Sequence, residues 1–188
     1  MIVALGGRPR TGKTTLARAL AQAIPGILLD KAALRRVLFP KLATTSPEQN
    51  DRLNEWLLQA AVWHLETTPG SVVVLDGRPL TRLRDVEALR RFALGIGQAL
   101  HIVECVCPID VSVERAGARA AASKDRDPIA DLCQETADPI PEPKIVVDTL
   151  LPPSRCLGVA LEGITGQSTS SRPETSGPHH SFSPRPRS

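Results

Sequence analysis

The hydrophobic residues of this chain form short continuous runs, separated by segments in which apolar positions recur every three or four residues. Five runs are almost continuously apolar, which is typical of strands buried on both faces. These runs are MIVAL, GILLD, SVVVLD, HIVECVC and KIVVDT. The intervening segments have the periodicity of amphipathic helices. They are TGKTTLARALAQAI, KAALRRVLF, SPEQNDRLNEWLLQAAVWHLE, TRLRDVEALRRFAL and DVSVERAGARAAA.

Strands and helices that alternate in this way predict an α/β fold. Because the strands have no polar face, helices must cover both sides of the sheet, and the strands run parallel. We therefore expect one domain over residues 1–164, with a five-stranded parallel sheet between two helical layers. Residues 165–188 are mostly Ser, Pro, Arg, Gly and His. Such a segment buries too little apolar surface to fold, so we expect a disordered tail.

The composition is that of a globular domain and limits the partners of the protein. Of the 188 residues, 41% are hydrophobic, 23% are charged and only 3% are aromatic. The formal net charge is +3, and the tail accounts for two of these positive charges. A nearly neutral domain disfavours a general nucleic-acid coat, although it leaves a local basic groove open.

Neither the cysteines nor the apolar runs indicate an exported or membrane protein. The four cysteines form no C-x-x-C pair, so we interpret them as small buried hydrophobes rather than as a metal or redox site. No basic leader precedes the first apolar run, and no run approaches the roughly 18 residues that indicate a membrane span. We expect a cytoplasmic protein, a monomer or homodimer, that does not bind a membrane.

The segment GGRPRTGKTT between the first strand and the first helix satisfies the pattern G-x-x-x-x-G-K-[ST]. In such a loop the backbone N–H groups turn inward and bind phosphate, assisted by the positive end of the helix dipole. Lys13 can reach the β- and γ-phosphates, Thr14 can bind Mg²⁺, and Thr15 can support the α-phosphate. The alternative is a glycine-rich turn without a ligand. The predicted nucleotide-binding residues are Gly7, Arg8, Pro9, Arg10, Thr11, Gly12, Lys13, Thr14 and Thr15.

A carboxylate at the end of another buried strand is expected beside such a loop. The run VVVLD supplies Asp76, which we predict to hold Mg²⁺ together with Thr14, either directly or through water. Strands often end in Asp, so this residue is informative only in combination with the phosphate-binding loop.

The segment that follows the fourth strand is rich in arginine. Arg115 and Arg119 lie one helical turn apart and therefore on one face. Arginines that close over a transferred phosphoryl group stabilise its charge, and a closing lid excludes water. We predict a lid over about residues 115–130; the alternative is a solvent-exposed helix face.

In their order and spacing, these segments resemble the small P-loop kinases of the AAA-ATPase-like branch. That branch includes the kinase domains of polynucleotide kinases, chloramphenicol phosphotransferase, and gluconate and shikimate kinases. The resemblance covers roughly residues 1–155 and rests on GGRPRTGKTT, LLDKAALRRVLFP, VVVLDGRPLTR, ERAGAR and IVVDT. It implies the three-layer αβα P-loop NTPase fold with strand order 2-3-1-4-5, a small lid, and binding of ATP and Mg²⁺.

The resemblance also implies roles for individual residues. In such kinases an acidic residue at the end of the second strand faces the acceptor hydroxyl, and a nearby arginine orients the substrate or a phosphate. The residues that match are Asp30 and Arg35, with Arg78 facing the same pocket. Arg115 and Arg119 match the catalytic lid arginines, of which Arg119 also contacts the nucleotide. Asp148 and Thr149 match the strand that leads into the adenine-side loop.

One position departs from the pattern of these kinases. Relatives often carry an acidic residue three positions before the arginine, and here that position is Ala32. Either Asp30 takes the role of base, or the acceptor pocket is altered, or the protein binds nucleotide without transferring phosphate. Asp30 could also be a plain helix N-cap.

The expected activity is transfer of the ATP γ-phosphoryl group to a hydroxyl of a small molecule. A polynucleotide 5′-hydroxyl is the second choice, since it requires a basic channel. A non-catalytic ATP-binding module or a regulatory ATPase is the alternative of a different class.

Overall fold

The structure, a computed structural model, describes residues 1–41, 46–123 and 137–170, of which 119–123 and 167–170 by their backbone alone. Within these ranges the strands are β1 (Ile2–Gly6), β2 (Gly26–Asp30), β3 (Val72–Asp76), β4 (Leu100–Val106) and β5 (Ile145–Asp148). The helices are α1 (Lys13–Ala23), α2 (Lys31–Leu38), α3 (Pro47–Thr67), α4 (Leu83–Gly95), α5 (Ile109–Ser123) and α6 (Pro153–Ser170).

The five strands form one parallel sheet in the order β2-β3-β1-β4-β5. This confirms the α/β class, the three-layer arrangement and the strand order that the sequence analysis predicts. The register places Asp30, the last residue of β2, directly beside Asp76, the last residue of β3. The carboxyl ends of these strands therefore bring two acidic side chains to one edge of the sheet.

Each face of the sheet has its own hydrophobic core. Val3, Leu5 and Val74 point to one face, where they pack with α1 and α6. Ile2 and Val73 point to the other face, where they pack with α3 and α4. Because successive residues of a strand point to opposite sides, strands that are apolar throughout can fill both cores.

The start of α3 follows from its local sequence. Ser46 caps α3, since its hydroxyl accepts a hydrogen bond from the backbone N–H of Gln49, and the Gln49 side chain accepts one from the Ser46 backbone in return. This reciprocal pair is a capping box, and Pro47 at the first helical position has no N–H to leave unpaired. The local sequence therefore determines where α3 begins.

The helix α6 was not predicted from the sequence. Its buried face carries Cys156, Ala160 and Ile164, a spacing of about four residues that indicates a helix. The helix extends to Ser170 within the described residues, six residues beyond the predicted domain boundary at 164. Residues 165–170 are thus helical, and the rest of the predicted tail, 171–188, lies outside the described residues.

The structure describes the first part of the predicted lid. Residues 115–123 of the predicted lid belong to α5, while residues 124–130 lie outside the described residues. None of the helices in the described part of the chain is both long enough and apolar enough to cross a membrane.

Candidate phosphate-binding site

The loop between β1 and α1 requires glycine at two positions. Gly7 has a φ of 119°, and a Cβ atom there would lie 2.2 Å from the carbonyl oxygen of Cys105. Gly12, the residue before α1, has a φ of 91°. Both angles are in the left-handed region, which side chains other than glycine rarely adopt. The two motif glycines therefore shape the loop and allow it to lie close to β4.

Hydrogen bonds hold the loop in place. The N–H of Gly7 donates to the carbonyl of Pro79 at 2.8 Å, which attaches the loop to the segment after β3. The Thr11 hydroxyl donates to the carbonyl of Arg8 at 2.8 Å. The Lys13 ammonium reaches back across the loop and donates to the carbonyls of Gly7 and Arg8, at 2.9 Å and 2.5 Å. Lys13 thus lies over the concave side of the loop, where the motif binds phosphate.

Thr14 and Asp76 are in direct contact. The Thr14 hydroxyl, on the first turn of α1, donates to Asp76 Oδ2 at 2.6 Å. Asp76 is only 7% exposed. Burial raises the pKa of Asp76, and the neighbouring charge of Asp30 raises it further, whereas the Thr14 hydrogen bond and the charges of Lys13 and Lys31 act in the opposite direction. Two adjacent buried carboxylates beside a hydroxyl are hard oxygen donors of the kind that Mg²⁺ prefers, so these residues fit a magnesium site.

Asp30 has a structural role that is visible in its contacts. Its side chain accepts a hydrogen bond from the backbone N–H of Ala33 at 3.0 Å and caps α2. Its second oxygen lies 3.7 Å from Arg18 on α1, and the side chain is 8% exposed. The N-cap interpretation is therefore observed, whereas the role of Asp30 as base toward an acceptor remains a prediction.

Arg78, predicted to bind the acceptor, is held between two helices. Its guanidinium pairs with Asp51 on α3 at 2.5 Å and with Asp85 on α4 at 3.3 Å. We call these three residues the Arg78 clamp. Arg35, the other predicted substrate arginine, lies in the last turn of α2 and is partly buried. The two carboxylates could not be identified from the sequence, because they lie on helices that come together only in the folded chain.

Arg115 joins α5 to the segment after β5. Its guanidinium donates to the hydroxyl and to the carbonyl of Thr149, at 3.2 Å and 3.0 Å. The side chain of Thr149 lies next to Gly12, since a Cβ atom on that glycine would be 3.4 Å from it. Asp148 is exposed, and its carboxylate accepts from the N–H of Leu150 at 2.9 Å. The structure therefore brings Arg115 and Thr149 to the phosphate-binding loop; the Arg119 side chain is outside the described part of the chain.

Lys31, the first residue of α2, is a charged residue that the sequence analysis missed. Burial lowers the pKa of its ammonium and Arg78 lowers it further, whereas Asp76, Asp51 and Asp85 raise it. Its position directly after a strand that ends at the sheet edge is the signal that could have identified it. Lys31 therefore adds a half-buried cation that interacts with Asp76 and with the three residues of the Arg78 clamp.

A cavity of about 150 Å³ lies beside the end of β3, between α3 and α4. Its polar wall is formed by Asn54, Arg78 and Asp85, together with the backbone at Gly77. Its apolar wall includes Leu58, Leu75, Leu80 and Leu89. Because Gly77 directly follows Asp76, this cavity opens next to the predicted magnesium residues and is the candidate acceptor pocket.

Known proteins share this arrangement of sheet and loop. A candidate kinase from Chloroflexus aurantiacus j-10-fl is 25% identical with a TM-score of 0.67, over 86% of this chain and 97% of that chain. A gluconokinase from Sinorhizobium meliloti 1021 is 20% identical with a TM-score of 0.60, over 90% and 97%. The APS kinase of Mycobacterium tuberculosis, in complex with AMPPNP and APS, is 15% identical with a TM-score of 0.66, over 87% and 96%.

The comparison with curated proteins found no match. Residues 2–134 match the AAA domain family, and this range contains the phosphate-binding loop, Asp76, the Arg78 clamp and Arg115. The match covers more than half of the chain, and the strand order agrees with it. The chain therefore belongs to the AAA domain family, and its motifs resemble those of the small P-loop kinases.

Proposed function

We propose that this protein is an ATP-dependent phosphotransferase that moves the γ-phosphoryl group of ATP to a hydroxyl group of a small molecule. The observation that carries the proposal is the convergence of Lys13 and the Thr14–Asp76 contact on the phosphate-binding loop. The kinases with the same fold support it, including the APS kinase whose structure holds AMPPNP.

In this proposal the chain provides positioning and positive charge rather than covalent chemistry. The loop amides and the N-terminus of α1 bind the phosphates, and Lys13 moves from the loop carbonyls to the β- and γ-phosphates. Arg115, already beside the loop, neutralises charge on the phosphoryl group, and Arg119 on the same helix is proposed to assist. Bound Mg²⁺ supplies further charge neutralisation, and Thr14 and Asp76 would hold it.

The acceptor hydroxyl attacks the γ-phosphorus as the bond to the ADP oxygen breaks, and the hydroxyl proton must leave. We propose that Asp30 receives this proton, since Ala32 provides no carboxylate at the position where relatives often have one. The acceptor would lie in the cavity between α3 and α4. Arg35 and Arg78 are proposed to position it there.

Nucleotide binding is tested by replacing the lysine of the loop. We expect Lys13→Ala to weaken ATP binding at least about tenfold, since hydrogen bonds to charged groups contribute roughly 1.5–3 kcal/mol. Isothermal titration calorimetry with Mg²⁺ and ATP measures this directly. Lys41→Ala removes the same charge at an exposed position and is the matched control. Unchanged affinity in Lys13→Ala would contradict the proposal.

Transfer to an acceptor is tested separately from binding. ADP release is measured with and without a panel of polyols, sugars, hydroxy acids and a 5′-hydroxyl oligonucleotide, and the phosphorylated product is identified by mass spectrometry. The proposal predicts acceptor-dependent ADP release with a phosphorylated small molecule. Tight ATP binding without turnover would instead indicate the non-catalytic module.

A further inference from the structure

The Arg78 clamp changes what the candidate acceptor pocket can recognise. A free guanidinium at the mouth of a pocket binds carboxylates and phosphates well, often through two parallel hydrogen bonds. Here the guanidinium already pairs with a carboxylate from each side, Asp51 on α3 and Asp85 on α4. An anionic acceptor would have to displace at least one of them.

Displacing Asp85 from Arg78 is unfavourable because both side chains are partly buried. The side chain of Asp85 is 15% exposed and that of Arg78 is 30% exposed, whereas that of Asp51 is exposed. A buried charge that loses its partner keeps the desolvation penalty without the compensating interaction. The same two carboxylates also act on Lys31, whose pKa they raise, together with Asp76, against the effects of burial and of Arg78. The charged side chains that line the cavity are Arg78 and Asp85, which pair with each other.

The rest of the cavity favours an uncharged ligand with an apolar face. Leucine side chains from α3, α4, β3 and the loop after β3 form much of its wall. Asn54 and the clamp supply hydrogen-bond donors and acceptors at one end. Pockets of this kind bind the apolar part of a ligand by burial and orient it with a few polar groups.

We propose that the Arg78 clamp makes this protein selective for uncharged, hydroxylated acceptors with an apolar face, and that it excludes acceptors carrying a carboxylate or a phosphate. The inference rests on the proposed function and specifies its substrate class. Arg78 thereby acts as a specificity residue that presents a neutral hydrogen-bonding rim rather than an anion site.

The test removes the carboxylates and asks whether an anion site appears. Sorbitol and gluconate are used as probes, since they differ in one carboxylate, and their dissociation constants are measured by NMR titration with AMPPNP and Mg²⁺ present. We expect Asp51→Asn combined with Asp85→Asn to bind gluconate about tenfold more tightly than the unaltered protein. The gain should vanish when Arg78→Ala is added, and sorbitol binding should change little.

Control variants and the affinity for AMPPNP distinguish failure of this inference from failure of the proposed function. Glu55→Gln removes a carboxylate from the same helix, where it pairs with Arg52, and should give no gain. Asp51→Asn alone, at a site 59% exposed, serves if the double variant does not fold. Arg78-dependent gluconate binding by the unaltered protein, or no gain in the folded variants, would overturn the inference. AMPPNP affinity, measured on the same samples, reports separately on failure of the proposed nucleotide site.

Discussion

At the scale of single residues, the buried carboxylate of Asp76 fits the proposed metal site but lowers the stability of the free protein. Its carboxylate is buried beside a second carboxylate, and burial is the main cause of its raised pKa. The folded state therefore binds a proton at Asp76 more tightly than the unfolded state does. By linkage, this residue reduces stability as the pH rises from its ordinary pKa of 3.8 through the raised value.

Asp76→Asn should accordingly stabilise the free protein near pH 7 while it weakens Mg²⁺-dependent ATP binding. The amide oxygen can still accept the Thr14 hydrogen bond, but no charge has to be buried. The difference in melting temperature between the variant and the unaltered protein should increase as the pH rises from 3.8 to the raised pKa of Asp76. It should stay constant at higher pH. Thermal denaturation from pH 3.5 to 8 measures it; a variant less stable at pH 7 would refute this account.

Two substitutions distinguish the two interpretations of Asp30, as a helix N-cap and as the catalytic base. Asn caps helices about as well as Asp, whereas Ala typically costs about 1 kcal/mol. If Asp30 is the base, Asp30→Asn should keep the melting temperature but lower kcat by about a hundredfold or more. Asp30→Ala should lose both. Full activity in Asp30→Asn would leave Asp30 as a helix cap alone; the Arg18 pair adds little, since Arg18 is 58% exposed.

The sequence predicted residues well where a local pattern constrains the backbone. The spacing of Gly7, Gly12 and Lys13 requires a particular loop, and the structure has that loop with left-handed glycines. The carboxylates that pair with Arg78 could not be predicted in this way. Asp51 precedes Arg78 by 27 residues, and its helix reaches the end of β3 only through packing on the sheet.

At the scale of elements, α6 shows how closely a helix can lie on the sheet. A Cβ atom at Gly163 would lie 2.7 Å, 2.8 Å and 3.0 Å from Cγ1, Cγ2 and Cδ1 of Ile145 on β5. The β-branched side chain of Ile145 has little rotamer freedom with which to give way. A Cβ atom at Gly158, on the same helix, would meet nothing within 4 Å.

Two alanine substitutions in α6 should therefore have opposite effects. Gly158→Ala should stabilise the protein by up to about 1 kcal/mol, because alanine has the higher helix propensity. Gly163→Ala should destabilise it by about 1–3 kcal/mol, because it forces overpacking against β5. Urea denaturation of both variants measures the two free energies of unfolding. Equal effects of the two substitutions would show that α6 does not pack on β5 as described.

The strands were predicted more reliably than the last helix for a physical reason. A strand of a parallel sheet is apolar on both faces, so its sequence stands out as a continuous run. The helix α6 is buried on one side only and begins at a Pro-Pro pair that reads as a turn. Its apolar residues are concentrated between Cys156 and Ile164, and their burial depends on contact with α1 and β5.

At the scale of the whole molecule, the site joins parts of the chain that are far apart in sequence. The phosphate-binding loop follows the first strand, Asp76 ends the third, and Thr149 follows the last. Arg115 connects the segment after β5 to the phosphate-binding loop, because its partner Thr149 lies next to Gly12. A nucleotide bound there would contact segments that follow the first and the last strand of the chain, which are the central strand and an edge strand of the sheet. Its binding should therefore stabilise the domain as a unit.

ATP should raise the melting temperature of the protein, and Arg115 should determine by how much. A ligand at a hundred times its dissociation constant adds about 2.7 kcal/mol, which corresponds to roughly 5–11 °C for a chain of 188 residues. If Arg115→Ala weakens ATP tenfold, the rise at the same ATP concentration should shrink by roughly 3–5 °C. Arg155→Ala, at an exposed position of α6, should keep the full rise. Calorimetric scans with Mg²⁺ and ATP measure all three proteins, and an undiminished rise in Arg115→Ala would show that the α5 arginine takes no part in nucleotide binding.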